Sequence, residues 1–137
     1  MTEDLREKWE SACDRSSNLG FDNLTEVEQL WISVRGLIDS VQNGGISSYF
    51  YNSFADHLTE CKRGLEILGL SEVKVQLERA CSLFSDGVPA TGEARNQVIG
   101  AWGEDAEATL DDVDVQLDKL LPQLEIKLDA YILNSLR

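Results

Sequence analysis

The chain has 137 residues, of which 25 are acidic and 12 basic, so its formal net charge at pH 7 is −13. A chain of this length usually forms one domain, and its 42% hydrophobic residues can build a core without a metal or a disulfide. DNA, RNA and anionic membranes attract basic surfaces, so the charge disfavours all three as direct ligands. We therefore expect a single domain over residues 1–137.

The N-terminus and the cysteines both indicate the cytoplasm. The acidic start Met1–Asp4 is unlike that of a signal peptide, and no apolar run approaches the roughly 18 residues of a membrane span. Cys13, Cys61 and Cys81 form an odd set without CxxC spacing and lie among apolar residues, so buried free thiols are expected. His57 stands four residues before Cys61, but zinc needs three or four ligands, so no metal site is predicted.

Apolar residues recur at helical steps of three and four along nearly the whole chain, which predicts an all-α fold of six to eight helices around one core. The first helix is predicted around Leu5 and Trp9. The clearest helix follows Thr25, because Thr25 and Glu28 form a capping box that satisfies two backbone donors. Its apolar stripe continues to Val41.

The motif Asn43-Gly44-Gly45 is predicted to end this second helix. A β-turn is the alternative, because Asn-Gly is a strong hairpin signal. The apolar residues that follow recur at steps of 3, 1 and 4 rather than 2, which indicates another helix. A helix end with a glycine in the left-handed conformation therefore fits better than a hairpin.

The rest of the chain also has helical periodicity. Shorter helices are expected over residues 54–68, 71–84 and 93–102. Ser71 is the predicted cap of the second of these. The C-terminal stretch from Leu110 has apolar residues at steps of three and four, and Pro122 either kinks this stretch or starts a new helix.

An uninterrupted run of acidic charge is the most distinctive surface feature. Residues 104–118 contain seven acids and no base, more than half of the net charge. These acids are Glu104, Asp105, Glu107, Asp111, Asp112, Asp114 and Asp118. On one helix, five of them would share an arc of about 80° and repel one another by roughly 1–2 kcal/mol at low salt. Their spacing of about 5 Å is comparable in order to the 3.4 Å of one DNA strand, which favours a basic protein as partner.

The alternative is that Thr109 caps a helix that begins near residue 110. Glu104 and Glu107 would then lie in a preceding turn, and the acidic stripe would break. The remaining acids would favour the helix dipole and solubility. If instead the helix crosses Pro122, Glu125 and Asp129 prolong the stripe.

Signals for catalysis are sparse. No P-loop, GxSxG, GxGxxG or HExxH motif occurs, and His57 has no partner that the sequence identifies. We expect neither an enzyme nor a cofactor.

The segment Asn43–Ser53, NGGISSYFYNS, resembles the signature of the DNA-mimic-protein-like domain family of small helical bacterial proteins. In that family a helix ends in Asn-Gly-Gly, and an aromatic segment closing in Asn-Ser or Asn-Gly follows. Weaker likenesses extend the resemblance over about residues 24–133. Ile46 stands where the family commonly has an aromatic residue, and Ser47-Ser48 replace a bulkier polar pair.

The resemblance implies a role in binding. The founding member is described as an acidic protein whose carboxylates imitate DNA phosphates and occupy a transcription regulator or nucleoid protein. Related small acidic domains serve as immunity proteins beside bacterial toxins. The motif residues are expected to be structural: Asn43, Gly44, Gly45, Tyr49, Phe50 and Asn52.

Three hypotheses follow from the sequence. The leading one is an acidic, non-enzymatic protein that occupies a basic DNA-binding partner through residues 104–118. The second is an immunity protein that blocks a toxin, and the third is a small ligand-binding or enzymatic domain that uses the region Asn43–Asn52. A homodimer stays open.

Overall fold

Six α-helices build the fold, and residues 1–136, which the computed structural model describes, contain no β-strand. The helices are α1 (Glu3–Leu19), α2 (Glu26–Tyr51), α3 (Leu58–Ile67), α4 (Ser71–Cys81), α5 (Gly92–Gly100) and α6 (Glu104–Ser135). Short 3₁₀ segments lie at Phe21–Asn23 and Ser53–His57. The predicted all-α class is confirmed, with the helix count at the lower end of the expected range.

Helix α2 lies at the centre and contacts α1, α3, α5 and α6. The five consecutive residues 30–34 are all buried, so other elements cover α2 on every side. Helix α6 runs antiparallel to α2, because Ile46 near the end of α2 contacts Asp114, whereas Arg35 nearer its start contacts Glu125. The core therefore forms around α2, and α6 has one face on this core and one face in solvent.

The capping box predicted at the start of α2 is confirmed. The Thr25 hydroxyl accepts from the Glu28 backbone N–H at 3.2 Å, and the Glu28 carboxylate accepts from the Thr25 N–H at 3.2 Å. The Arg15 Nε also donates to Glu28 Oε2 at 2.8 Å, which ties α1 to α2. Burial opposes ionisation of Glu28, but the hydrogen bonds from Arg15 and Thr25 outweigh it and lower the pKa of this carboxyl.

The Asn-Gly-Gly motif changes the direction of α2, as the sequence predicts. Gly44 is extended (φ −169°), and Gly45 is in the left-handed region (φ 79°), so two helical pieces meet at this point. Gly69 plays the same part after α3 (φ 71°).

Two local predictions are wrong. Leu70, not Ser71, occupies the N-cap position of α4 and makes no side-chain cap bond, because Leu70 packs into the core one residue earlier. The helix predicted from Phe54 begins only at Leu58, because the Asn52 side chain accepts from the Phe54 N–H at 3.2 Å and supports a 3₁₀ segment. Of the two alternatives at Pro122, the start of a new helix is excluded, because Pro122 lies inside α6.

All three cysteines are free thiols, as predicted. Cys61 is buried, whereas Cys13 and Cys81 are half-buried. Burial raises the pKa of Cys61 to about 12 and that of Cys81 to about 11. Across residues 1–136, none of the helices has the length and apolar character that crossing a membrane requires.

Candidate interaction surface on helix α6

The acidic run lies on one continuous helix. Helix α6 extends from Glu104 to Ser135, so the alternative in which Thr109 caps a later helix is wrong. The Thr109 hydroxyl instead donates to the Asp105 carbonyl at 3.3 Å within the helix. The start of α6 is fixed earlier in the chain, where the Trp102 ring packs edge-on against Phe84 with centroids 4.8 Å apart.

Five of the seven acids are exposed and have no ion-pair partner within residues 1–136. They are Glu104, Asp105, Glu107, Asp111 and Asp118. The first three lie in the first turn of α6, where the helix dipole stabilises negative charge. Asp111 and Asp118 lie beyond that turn, so the dipole does little to offset their repulsion. We call these five residues the α6 acidic surface.

Asp112 lies about 100° around α6 from Asp111, towards α4, and is paired. Its carboxylate accepts from the Arg79 guanidinium of α4 at 2.8 Å. This hydrogen bond lowers the pKa of the exposed Asp112 carboxyl. Asp112 therefore links α6 to α4, and its charge is largely compensated.

Asp114 serves the fold at the edge of the acidic stripe. Its Oδ1 accepts from the Ile46 backbone N–H at 2.7 Å, which caps the second piece of α2 across the helix interface. Burial raises the pKa of this half-buried carboxyl, the Ile46 bond opposes the rise, and the charges of Asp118 and Asp111 add to it. A Cβ added to Gly45 would lie 2.6 Å from Asp114 Oδ2, so the motif glycine also makes room for this carboxylate.

The stripe continues past Pro122, where Glu125 is compensated, whereas Asp129 has no ion pair and its buried Oδ1 has no hydrogen-bond partner within residues 1–136. Glu125 contacts Arg35 at 3.5 Å and accepts from the Gln42 amide at 3.0 Å. Asp129 is half-buried. The uncompensated charge of α6 is therefore concentrated in its first half.

The motif residues after the glycines fill the core. Tyr49 and Phe50 are fully buried, and Phe50 packs edge-on against Phe84 with centroids 5.1 Å apart. The Asn52 Nδ2 donates to Ser40 Oγ at 3.2 Å. The inner side of this segment is thus occupied by aromatic rings. An open surface depression of about 460 Å³ lies on the outer side of Asn43–Gly45 and is bounded by Asp114 and Asp118.

Comparison with known proteins identifies the family. The model of the family described as DMP19-like protein matches residues 22–135. The chain belongs to the DMP19-like family. This match confirms the resemblance found through Asn43–Ser53 and extends it slightly at both ends. No curated protein and no solved structure matches the chain.

In this DMP19-like protein, a buried arginine that the sequence analysis missed holds the motif segment in place. Arg95 of α5 is completely buried. Its Nε donates to the Phe50 carbonyl at 2.8 Å, its Nη1 to the Pro89 carbonyl at 3.1 Å, and its Nη2 to the Asn52 carbonyl at 3.2 Å and to Asp56 Oδ1 at 2.7 Å. Only its position in the sequence indicates that Arg95 is buried, since it precedes Ile99 by one helical turn on the buried side of α5.

Titratable groups elsewhere do not converge on a metal site. Within residues 1–136, no group of three or more His, Cys, Asp or Glu side chains is arranged to hold a metal ion. The His57 ring is stacked on Phe21 with centroids 3.6 Å apart. Exposed acids without an ion pair also lie on α1 (Glu3, Glu7 and Glu10), but Arg6 and Lys8 are interleaved there, whereas no base interrupts residues 104–118.

Proposed function

We propose that this DMP19-like protein is a non-enzymatic interaction protein that occupies the DNA-binding surface of a basic protein. The α6 acidic surface makes the contact and competes there with DNA. The partner is a DNA-binding regulator or nucleoid protein. The protein acts in the cytoplasm and needs no cofactor for this role.

The observation that carries the proposal is a row of exposed, unpaired carboxylates on one rigid helix. From Glu104 to Asp118 the helix rises about 21 Å, and the five charges average about one per 5 Å, of the same order as a DNA strand, with a gap of about 10 Å between Asp111 and Asp118 where Asp114 serves the fold. A rigid helix holds these charges in place, so a partner does not have to order them on binding.

The cost to the fold also supports a functional role for this charge. Like charges three and four residues apart destabilise a helix by about 0.2–0.5 kcal/mol per pair. On α6 itself, Asp112 and Glu125 have Arg79 and Arg35 beside them, which relieves this cost, whereas the α6 acidic surface has no such cations within residues 1–136. Unpaired carboxylates of one sign attract a basic surface and speed its association at low salt.

Charge reversal tests the proposal. The variant Glu107→Lys/Asp111→Lys/Asp118→Lys leaves the structural Asp114 intact. We expect it to lose the DNA-binding proteins that the wild-type chain captures from a lysate, as identified by mass spectrometry across a salt series. Added duplex DNA should release the same proteins from the wild-type chain.

The matched control is Glu3→Lys/Glu7→Lys/Glu10→Lys on α1. These three acids are also exposed, lie three and four residues apart and have no ion pair within residues 1–136. Both variants have the same net charge, so equal loss of capture by both would show that only overall charge matters. Unchanged capture by the α6 variant would overturn the proposal, and a single dominant toxin among the captured proteins would indicate an immunity protein instead.

A further inference from the structure

Helix α6 also has an apolar stripe on its solvent side. Val115, Ile126 and Leu133 are 52%, 70% and 37% exposed. At 100° per residue they and the exposed Pro122 lie within an arc of about 40°, over about 27 Å of helix. The solvent face of a surface helix is normally polar, so an apolar row of this length indicates a contact surface. We call these four residues the α6 apolar stripe.

The two edges of the α6 apolar stripe differ in charge, and one of them is acidic. Asp111, Asp118 and Asp129 lie along one edge, within about 60° of the stripe. On the other edge the nearest charges are Lys119 and Asp112, and Asp112 is already paired with Arg79. The stripe and the carboxylates of Asp111 and Asp118 are therefore parts of one continuous face.

The negative charge beside the stripe favours a basic partner over a second copy of this chain. In a symmetric pair, a second copy of the chain would bring the same face, with its carboxylates at Asp111, Asp118 and Asp129, against itself, and Lys119 alone would offset them. Like charges placed opposite one another oppose association. A partner element with apolar side chains along its centre and Lys or Arg along its edge would satisfy both parts of the face.

We propose that the α6 apolar stripe receives a basic amphipathic helix of the partner protein, an inference that rests on the proposed function. The apolar side chains of that helix pack on Val115, Ile126 and Leu133, while its cations contact Asp111 and Asp118. Apolar contact is not screened by salt, so binding has a salt-resistant part as well as a salt-sensitive one. The stripe thereby selects a helix of this pattern among basic surfaces of equal charge.

Two synthetic helical peptides test this pattern. Both contain the same Lys, Leu and Ala residues and are long enough to cover the stripe. In one, the leucines lie on a single face with lysines at its edges; in the other, the leucines are distributed around the helix. Fluorescence anisotropy with the full chain, across a salt series, should show about tenfold tighter binding of the first peptide.

The variant Val115→Gln/Ile126→Gln should abolish this preference and leave the salt dependence unchanged, because no charge is removed. Leu19→Gln/Ile67→Gln is the matched control, since Leu19 and Ile67 are 55% and 53% exposed on α1 and α3. This control should keep the preference. Circular dichroism shows whether each variant keeps its helices.

The outcomes separate this inference from the proposed function. Asp111→Lys/Asp118→Lys should weaken both peptides. If it does so while Val115→Gln/Ile126→Gln changes neither affinity, the acidic surface stands and the inference about the stripe is overturned. If neither variant changes either affinity, the acidic surface fails as well. Sedimentation that detects a dimer of the wild-type chain, abolished in Val115→Gln/Ile126→Gln, would identify a second copy as the occupant and also overturn the inference.

Discussion

The segment Asn43–Asp56 and the first half of α6 use their polar groups in opposite ways. In the motif segment, backbone carbonyls and Asp56 are satisfied by the buried guanidinium of Arg95. In residues 104–118, five carboxylates remain in solvent without an ion-pair partner within residues 1–136. Two acids of this run differ: Asp112 pairs with Arg79, and Asp114 belongs to the acidic helix but caps the motif segment through Ile46.

The residues that identify the family are therefore different from the residues that the protein exposes to a partner. The Asn-Gly-Gly motif makes the chain recognisable, and its residues serve the fold. The α6 acidic surface depends on charge distribution and has no short motif of its own. Substitutions in the motif segment should therefore act mainly on stability, whereas substitutions in the acidic surface should act mainly on binding.

The largest loss of stability is expected from substitution of Arg95. Arg95→Ala removes four hydrogen bonds and leaves buried carbonyls without donors, so we expect the free energy of unfolding to fall by about 3–5 kcal/mol. Urea denaturation followed by circular dichroism measures this change. Asn96→Ala, at the next and exposed position of α5, is the control and should change it by less than about 0.5 kcal/mol. Similar losses in the two variants would contradict the role assigned to Arg95.

Gly45→Ala should have the next largest effect, a loss of about 2–4 kcal/mol. The substitution places a Cβ at a positive φ and also forces it against Asp114. Gly87→Ala shows the cost of a positive φ without a steric contact, because Gly87 has φ 86° and no atom within 4 Å of the added Cβ. Gly45→Ala should lower the free energy of unfolding, measured by urea denaturation, by more than Gly87→Ala does. This difference should become smaller when Gly45→Ala is combined with Asp114→Ala. An excess that persists in the double variant would exclude the clash with Asp114 as its cause.

Asp114→Ala by itself should lower the free energy of unfolding by about 1 kcal/mol through loss of the cap on Ile46. Asp114→Asn keeps an acceptor oxygen and should cost less. The pKa of Asp114 is raised above 3.8, so the folded chain binds this proton more readily than the unfolded chain does. Its contribution to stability therefore falls as the pH rises through the interval between 3.8 and the raised pKa. Unfolding experiments across this interval should show the fall in wild type and a smaller one in Asp114→Asn.

The smallest expected effect on stability is a gain. Asp111→Asn/Asp118→Asn removes three like-charge contacts along α6 and should raise the free energy of unfolding by about 0.5–1 kcal/mol at low salt. The gain should disappear in high salt, and partner capture should weaken in the same variant. Glu3→Gln/Glu7→Gln on α1 serves as the comparison. A loss of stability in Asp111→Asn/Asp118→Asn would mean that these carboxylates also serve the fold.

The features that the sequence predicted correctly are those set by local signals. Apolar periodicity, the capping box at Thr25 and the glycine stop at Gly45 each depend on residues within a few positions of one another. The continuity of α6 was left open because Thr109 also fits an N-cap. Packing of Trp102 on Phe84, far along the chain, determines that the helix starts earlier.

The features that were missed depend on distant contacts. Asp114 looked like one member of an acidic stripe, and only its hydrogen bond to Ile46, 68 residues away, reveals its structural role. Arg95 likewise acts on carbonyls 43 and 45 residues earlier in the chain. A charged residue on the buried side of a helix signals such a contact, but the sequence does not say which groups it will meet.

Because its thiols are protected, alkylation of the native cysteines can be used to measure local unfolding of the chain. Alkylating reagents attack the thiolate, and a pKa of about 12 leaves almost none of Cys61 in that form near neutral pH. Cys81, with a pKa of about 11, is similarly protected at the end of α4. The buried Cys61 must therefore be exposed by motion of α3 before it reacts, whereas the half-buried Cys81 is partly accessible already. The rate at which Cys61 is alkylated therefore reports how often α3 opens, without any added label.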